Sequence, residues 1–580
     1  MNDGRVVRVL PDVPAIDREF DYLLPGALAG ARSVGVGAMV RVPLHGRRVG
    51  GWVTAIDVEP ELGVTLVSVA KVSGVGPSPE MIELCRWASW RWAGRLATFL
   101  RAASPPSMVV ALPPPGRGRP VEAPDHTAAF DGPRTVLRVP PGDDPIAVAV
   151  AAAKRGDALV VCPSQAMARA VVERLRRQGV VVASFPREWA AAAAGGRVVV
   201  GARAAAFAPM PAAAAFVVID EHDEALQNEG SPTWHAREVV LERARRGRVP
   251  AVLTSPCPSL EAVARTPLVA PTRAAERRGW PVVEAIDRRD DDPGRASLFS
   301  GRLVRALRGD GVAVCVLNRT GRARLLACRT CASIAQCERC DAAVAQESLD
   351  PEGHEELRCP RCGTERPVVC QVCGATAFKR LRMGVARARD ELEALLREPV
   401  VELTGRTPSG SLDPARVYVG TEAALHRVPA AAVVAFLDLD NELLARRYRA
   451  AEEALALLAR AARLVGGRDG GGRVVAQTRV PDHEVIRAAI AADPGIVMEA
   501  ERTRRERLGF PPAVTMALVG GAGAPDFVEA FGAPLGVEVR PSGDEWLLVA
   551  EDRRALLDQL ATTPRPSGRL RLQIDPMRLS

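Results

Sequence analysis

Eight of the twelve cysteines lie between Cys328 and Cys373 as four C-x-x-C pairs: Cys328/Cys331, Cys337/Cys340, Cys359/Cys362 and Cys370/Cys373. A C-x-x-C turn presents two sulfurs to one ion, and zinc takes four such ligands at tetrahedral corners. Eighteen residues separate Cys340 from Cys359, which fits the spacing of a zinc ribbon built on Cys337, Cys340, Cys359 and Cys362. The outer pairs, Cys328/Cys331 and Cys370/Cys373, then close a second site around the first. Gly363 and Gly374 follow the third and fourth pairs, where a tight knuckle turn is needed. With four protein sulfurs on each ion no position is left for water or substrate, so both sites are predicted to be structural. Cys85, Cys162, Cys257 and Cys315 read as small core residues.

The rest of the chain must accommodate that module. At 580 residues it is too long for one core and implies roughly three to five domains. No apolar run is long enough to span a membrane. The segment Met1–Leu10 alternates like a strand and lacks a signal-peptide core, so a cytoplasmic location is expected. In a reducing compartment C-x-x-C pairs lean towards metal or redox chemistry. The net charge of +8 and pI near 9.0 give a mild bias towards polyanions. Nearly all of the positive charge is arginine, the only lysines being Lys71, Lys154 and Lys379.

Short strands are expected at Arg5–Leu10, Ala38–Pro43, Val49–Ile56 and Leu66–Val72, followed by helix over Pro79–Ala102 with Trp87, Trp90 and Trp92 in its core face. Pro105–Pro133 is rich in Pro, Gly and Arg and reads as a linker. Apolar runs alternating with helical pattern begin at Thr135, with strands at Ala158–Cys162, Arg197–Val200, Phe216–Ile219 and Ala251–Leu253. After the cysteines they resume at Val400–Leu403, Val417–Val419, Val433–Leu437 and Arg473–Gln477. This pattern predicts α/β layers with parallel sheets, and a final piece from Ala500 mixes strand and helix.

Several segments, in order around the cysteine array, resemble the PriA family of bacterial replication-restart proteins (primosomal protein N′). Ile16–Pro25, and Val40–Arg47 with Gly51-Trp52-Val53, are similar to its DNA 3′-end-binding domain. Val200–Phe207 is similar to its G-T-R-S-A-hydrophobic-F segment and Ser255–Glu261 to S-A-T-P-S-L-E. Asn318–Gly321 is similar to its N-R-R-G. Val419–Glu422, Tyr448–Glu452, Gln477-Thr478 with Pro481–His483, and Glu506–Pro512 complete the series. The resemblance implies two RecA-like parallel-sheet lobes of a degenerate superfamily 2 helicase with an inserted double zinc-ribbon module. A β-rich N-terminal DNA-binding domain and a small α+β C-terminal domain flank them. The expected division is 1–104 for the 3′-end-binding domain, 105–133 for a Pro-rich linker and 134–323 for lobe 1. The cysteine module takes 324–380, lobe 2 381–499 and the C-terminal domain 500–580. The linker is too short for the family's winged helix.

The family translocates on DNA with ATP, and here that chemistry fails. A P-loop needs glycines whose N–H groups cradle phosphates, a lysine that pairs with them and a hydroxyl for magnesium. After Val136–Val139 the chain reads Pro140-Pro141-Gly142-Asp143-Asp144-Pro145, with three prolines that donate nothing and two aspartates facing where phosphate would sit. The acidic motif is shortened to Asp220-Glu221-His222-Asp223, although Asp220 and Glu221 remain as degenerate nucleotide-site residues. Where the family reads Q-V-A-G-R-A-G-R, this chain reads Arg460-Ala461-Ala462-Arg463-Leu464-Val465-Gly466-Gly467, with leucine and glycine at the arginine positions. Such arginines are worth about 10³–10⁵ in rate where they act in nucleotide hydrolysis. ATP and Mg2+ are therefore doubtful cofactors, two Zn2+ are expected, and no catalytic residue is assigned.

The expected function is replication restart without helicase activity. It would consist of binding forked or branched DNA with a 3′ end at abandoned forks and promoting primosome assembly. The partners implied are primosomal proteins, the helicase loader, the replicative helicase and single-stranded-DNA-binding protein, at the nucleoid and away from membranes. Phe20, as a stacking surface, and Asp21, as an acceptor for a 3′-OH, match the family's end-binding pair. Arg203, Arg319, Arg322, Arg446 and Arg449 are candidate phosphate contacts. An active ATP-dependent 3′-5′ helicase with an unorthodox nucleotide site and a zinc-dependent adaptor with little DNA binding are the alternatives.

Overall fold

The structure is a computed structural model that describes residues 5–579 apart from 14–15, 27, 29–33, 61–64, 118–121, 123–124, 290–296, 319–324, 332, 349–354, 381–384, 406 and 408–411. The N-terminal domain is an antiparallel sheet of β1 (Arg5–Pro11), β2 (Phe20–Leu24), β3 (Met39–Leu44), β4 (Arg47–Ile56) and β5 (Lys71–Gly74) in the order β2-β1-β4-β3-β5. Val7, Val9, Val40, Val42 and Val53 are its buried face. The expected single helix over Pro79–Ala102 is two, Pro79–Arg91 and Leu96–Ala103. Ser78 starts the first by accepting from the Met81 N–H. The break falls where Ala93 takes φ 44° and Gly94 passes so close to Pro232 that a Cβ would stand 2.7 Å from its ring.

Lobe 1 holds seven parallel strands, β6 (Arg134–Arg138), β7 (Ala158–Val161), β8 (Val182–Ser184), β9 (Val198–Gly201), β10 (Ala215–Val218), β11 (Ala251–Ser255) and β12 (Leu268–Val269), ordered β12-β6-β11-β10-β7-β9-β8. The central strands are buried on both faces, as unbroken valine-rich runs require.

The boundary expected at residue 323 is corrected by the strand order. β13 (Val282–Asp287) and β14 (Ala313–Val316) belong to the second sheet, and β14 lies at its middle between two strands that follow the cysteines. An apolar tetrad such as Ala-Val-Cys-Val fits the centre of any parallel sheet, so its local pattern cannot say which one. The cysteine module is therefore an insertion within lobe 2. It contains the strands β15 (Leu326–Cys328), β16 (Ala345–Ser348), β17 (Glu355–Arg358), β18 (Glu365–Pro367) and β19 (Phe378–Arg380). β15 pairs with β19 to close its neck. β20 (Val400–Leu403), β21 (Val417–Gly420), β22 (Val433–Phe436) and β23 (Arg473–Thr478) complete the second sheet, ordered β13-β23-β22-β14-β21-β20 and parallel throughout.

A C-terminal antiparallel sheet of β24 (Thr515–Gly520), β25 (Val537–Ser542), β26 (Glu545–Ala550) and β27 (Arg571–Ile574) follows the helix Gly495–Leu508. It ties the ends of the molecule together. Arg91 of the N-terminal helix pairs with Asp575 at 2.8 Å, and the Tyr448 hydroxyl of lobe 2 donates to the Pro576 carbonyl at 2.8 Å. Among the described residues no helix is long and apolar enough to cross a membrane.

Candidate metal centres and the interlobe cleft

The sulfurs gather as the spacing predicts, Cys328, Cys331, Cys370 and Cys373 in one group and Cys337, Cys340, Cys359 and Cys362 in the other, each within 4.8 Å. Within each group, from one pair to the other, Cys328 meets Cys373 and Cys331 meets Cys370 at 3.6 Å, while Cys337 meets Cys362 and Cys340 meets Cys359 at 3.5 Å. These are not disulfides, whose sulfurs lie about 2.0 Å apart. A zinc–sulfur bond of about 2.3 Å gives a tetrahedron with edges of about 3.8 Å, so both donor sets fit zinc. The knuckles are drawn by backbone: the Gly363 N–H donates to the Cys359 carbonyl and the Gly374 N–H to that of Cys370, both at 2.9 Å. Gly363 and Gly374 each have φ 75°, and Asp341 fills the same place after Cys340 at φ 60°.

The two groups differ in surroundings. Cys337, Cys340 and Cys359 are buried with Leu326, Val344 and Leu357. Arg361, inside the third pair, donates to the Cys340 carbonyl at 3.0 Å and to the Ala445 carbonyl of lobe 2 at 2.5 Å. The other group is open on one side: Cys328 and Cys370 are buried, but Cys373 is exposed and Val372 beside it is 73% exposed. The remaining cysteines, Cys85, Cys162, Cys257 and Cys315, are core residues as expected.

The loop after β6 enters the helix Ile146–Arg155, the position a phosphate cradle would take. Its one glycine N–H, that of Gly142, is spent on the Gly279 carbonyl at 2.7 Å. The Asp144 carboxylate accepts from the Ile146 N–H at 2.9 Å, capping the helix end that would face an anion. Lobe 2 fills the space above: a Cβ on Gly142 would stand 2.8 Å from Gly467. Burial holds the Asp143 carboxyl above its usual range.

The acidic motif follows β10. Arg463 grips Asp220 with two hydrogen bonds, 2.6 and 3.0 Å. Burial pushes the Asp220 carboxyl upward, but Arg463 overrides it and holds the group below the carboxylate range. Arg460 bonds Asp223 at 2.8 Å and also Glu422. Glu221 is wholly buried and accepts from the Ser259 N–H, the Ser259 hydroxyl and Arg237, each at 2.8 Å. Magnesium needs carboxylate oxygens open to it, and these are occupied. The residues present do not fit MgATP. The sequence shows arginine missing from two family positions. It does not show that Arg460 and Arg463, one helical turn apart, reach carboxylates of the other lobe; their i, i+3 spacing on one face is the only local signal.

The DNA candidates are dispersed. Phe20 and Asp21 are neighbours on β2, so strand alternation sends their side chains to opposite faces. Phe20 is half-buried against the core of its domain with the Arg18 guanidinium 5.5 Å from its ring centre. Arg8, opposite on β1, bonds both Asp21 oxygens at 2.8 and 3.1 Å, a pair the sequence reading missed. Arg203 donates to the carbonyls of Ala225 and Gln227 at 3.0 and 2.6 Å and so braces the chain after the acidic motif. Arg449 is buried and paired with Glu261 at 3.0 Å and Glu452 at 3.2 Å, while Arg446 is half-buried. Arg319 and Arg322 lie outside the described residues.

Residues 8–105 match the family model described as a 3′ DNA-binding domain (3′BD). The chain is 31% identical over 573 residues to the probable replication restart protein PriA of Mycobacterium bovis, covering 88% of this chain and 85% of the relative. The Mycobacterium leprae counterpart is 29% identical over 658 residues, covering 98% of this chain and 99% of the relative. The replication restart protein PriA of Bacillus subtilis is 29% identical over 353 residues, 56% of this chain but 43% of that protein. Solved structures that match in part include RecG bound to a three-way DNA junction, at TM-score 0.34 and 12% identity over 65% of this chain and 44% of that one. Another is Saccharomyces cerevisiae Dbp5 bound to RNA and ADP BeF3, at TM-score 0.35 and 13% identity over 65% and 89%.

Proposed function

The chain belongs to the PriA family of replication restart proteins, and from that membership we propose that it binds forked or branched DNA at stalled or abandoned forks and promotes primosome assembly as a metal-braced scaffold, without a motor of its own. The motorless part rests on one observation, the arginines of lobe 2 seated on Asp220 and Asp223. The phosphate and magnesium ligands of a translocase are either missing from the chain or already paired within it.

DNA recognition is assigned to residues 8–105, with Phe20 stacking on the terminal base and Asp21 accepting from a 3′-OH. An anionic acceptor disfavours a 3′-phosphate, so forks ending in 3′-OH should bind more tightly than forks ending in 3′-phosphate. Equal affinity removes Asp21 from that role. If six phosphates are neutralised, log K falls with log[salt] at a slope of about −5. Affinity that ignores salt argues against DNA as the ligand. The cysteine groups would hold two zinc ions, Cys337, Cys340, Cys359 and Cys362 fixing the module to lobe 2 and the other four closing its neck beside β15 and β19. Zinc supplies a covalent-strength crosslink there, in a segment too small to hold its shape by apolar burial.

Partners of such a scaffold are the primosomal proteins, the helicase loader, the replicative helicase and single-stranded-DNA-binding protein, at the nucleoid. The test is hydrolysis of ATP by the purified chain, with and without forked DNA, beside a gel shift on fork against plain duplex. The expected result is fork binding with no hydrolysis. DNA-stimulated hydrolysis abolished by Asp220→Ala would establish an active helicase instead, and absence of fork binding would leave an adaptor.

A further inference from the structure

We infer that the former nucleotide cleft is a permanent latch, in which one helix of lobe 2 is fastened along its length to lobe 1 by the protein's own charges. The helix Ala450–Val465 has 16 residues and is about 24 Å long. At its N-terminal end Arg449 pairs with Glu261 at 3.0 Å, and Glu452 accepts from the Leu260 N–H at 3.0 Å. Towards the C-terminal end Arg460 holds Asp223 at 2.8 Å and Arg463 holds Asp220. Just beyond, Gly467 packs on Gly142. Arg505, 1% exposed, backs the near end by pairing with both Glu261 and Glu452. A motor lobe must release such contacts in each cycle, and a nucleotide supplies the charge that makes them conditional. Here the conditional ligand is replaced by guanidinium groups covalently fixed to the opposite lobe. A rotation of the lobes would strip Asp220 and Glu261 of their partners together, because all four contacts sit on one rigid helix.

The inference deepens the motorless reading, and its test is separate from ATP hydrolysis. Hydrogen exchange read on the segments 140–147 and 255–263 reports the latch through the amides of Gly142 and Leu260. In the unaltered protein both segments should exchange slowly, at the same rate with and without millimolar MgATP. Arg460→Gln with Arg463→Gln should speed exchange there by about tenfold or more, since the opening becomes local, while β10 and β22 stay protected as evidence of an intact fold. Asp220→Asn added to that variant should slow exchange again, because it removes the stranded carboxylate. Exchange in the double variant at the unaltered rate would overturn the latch. If the double variant does not fold, the single variant Arg463→Gln decides: faster exchange at 140–147 supports the latch, and an unaltered rate overturns it. A protein that hydrolyses no ATP yet opens by these readouts keeps the function and loses the latch.

Discussion

The cysteine module and the interlobe cleft are both places where a protein of this family would hold an ion, and their donors are arranged in opposite ways. In the module eight sulfurs converge, with cross-pair contacts of 3.5–3.6 Å, and the charge that would balance them must come from outside the chain. In the cleft Asp220 and Asp223 already have counter-ions from the other lobe, and Glu221 has Arg237 of its own lobe. A ligand site that is kept leaves its donors dependent on the ligand. Carboxylates paired within the chain need no ion, because a buried charge is stable once it has a partner.

The contrast is broken most strongly by removing metal. Chelation should cost the module about 10–16 kcal/mol per zinc, the scale of small zinc peptides. It should unfold residues 326–380 while both sheets persist, as read by elemental analysis together with limited proteolysis. A module that stays folded without metal would mean that the sulfurs are not ligands. The next effect belongs to the cleft. Arg505→Met removes a buried cation shared by Glu261, Glu452 and Glu501, leaving the three carboxylates to Arg449 and Arg504, and should cost about 3–5 kcal/mol, measured as a lower urea midpoint with the zinc content unchanged. A neutral outcome would mean that these charges break even with apolar packing.

Acid sharpens the same point. Burial raises the Glu261 carboxyl, but Arg449, Arg505 and Arg237 pull it down to about 2, against about 4.3 in an unfolded chain. A depressed carboxylate stabilises the fold fully above its unfolded value, and that stability is lost as pH falls from about 4.3 towards 2. Stability should therefore drop below about pH 4, and Glu261→Gln should flatten the drop. The smallest effect lies remote from both regions. Ser78→Ala removes the cap of the helix Pro79–Arg91, should cost about 1 kcal/mol by thermal melting, and should leave metal and cleft alone.

What the sequence made legible follows from how local each feature is. The cysteine sites could be read, pairing included, because C-x-x-C turns and an eighteen-residue gap are short-range facts. The strands of both lobes can be read as apolar runs, but the membership of Val282–Asp287 and Ala313–Val316 in lobe 2 cannot, since a strand's sheet is chosen by partners far along the chain. The three prolines after β6 are a local fact of the same kind. The pairing of Arg463 with Asp220 is not, because the two are 243 residues apart and only the fold brings them together. Nor does the local sequence around Asp21 show that β1 places Arg8 against it.

The most direct measurement is calorimetric titration of MgATP into the zinc-loaded protein. The expected trace shows no saturable heat at millimolar nucleotide, alongside two zinc ions per chain by elemental analysis. Saturable binding with a micromolar dissociation constant would contradict a cleft whose donors are already paired.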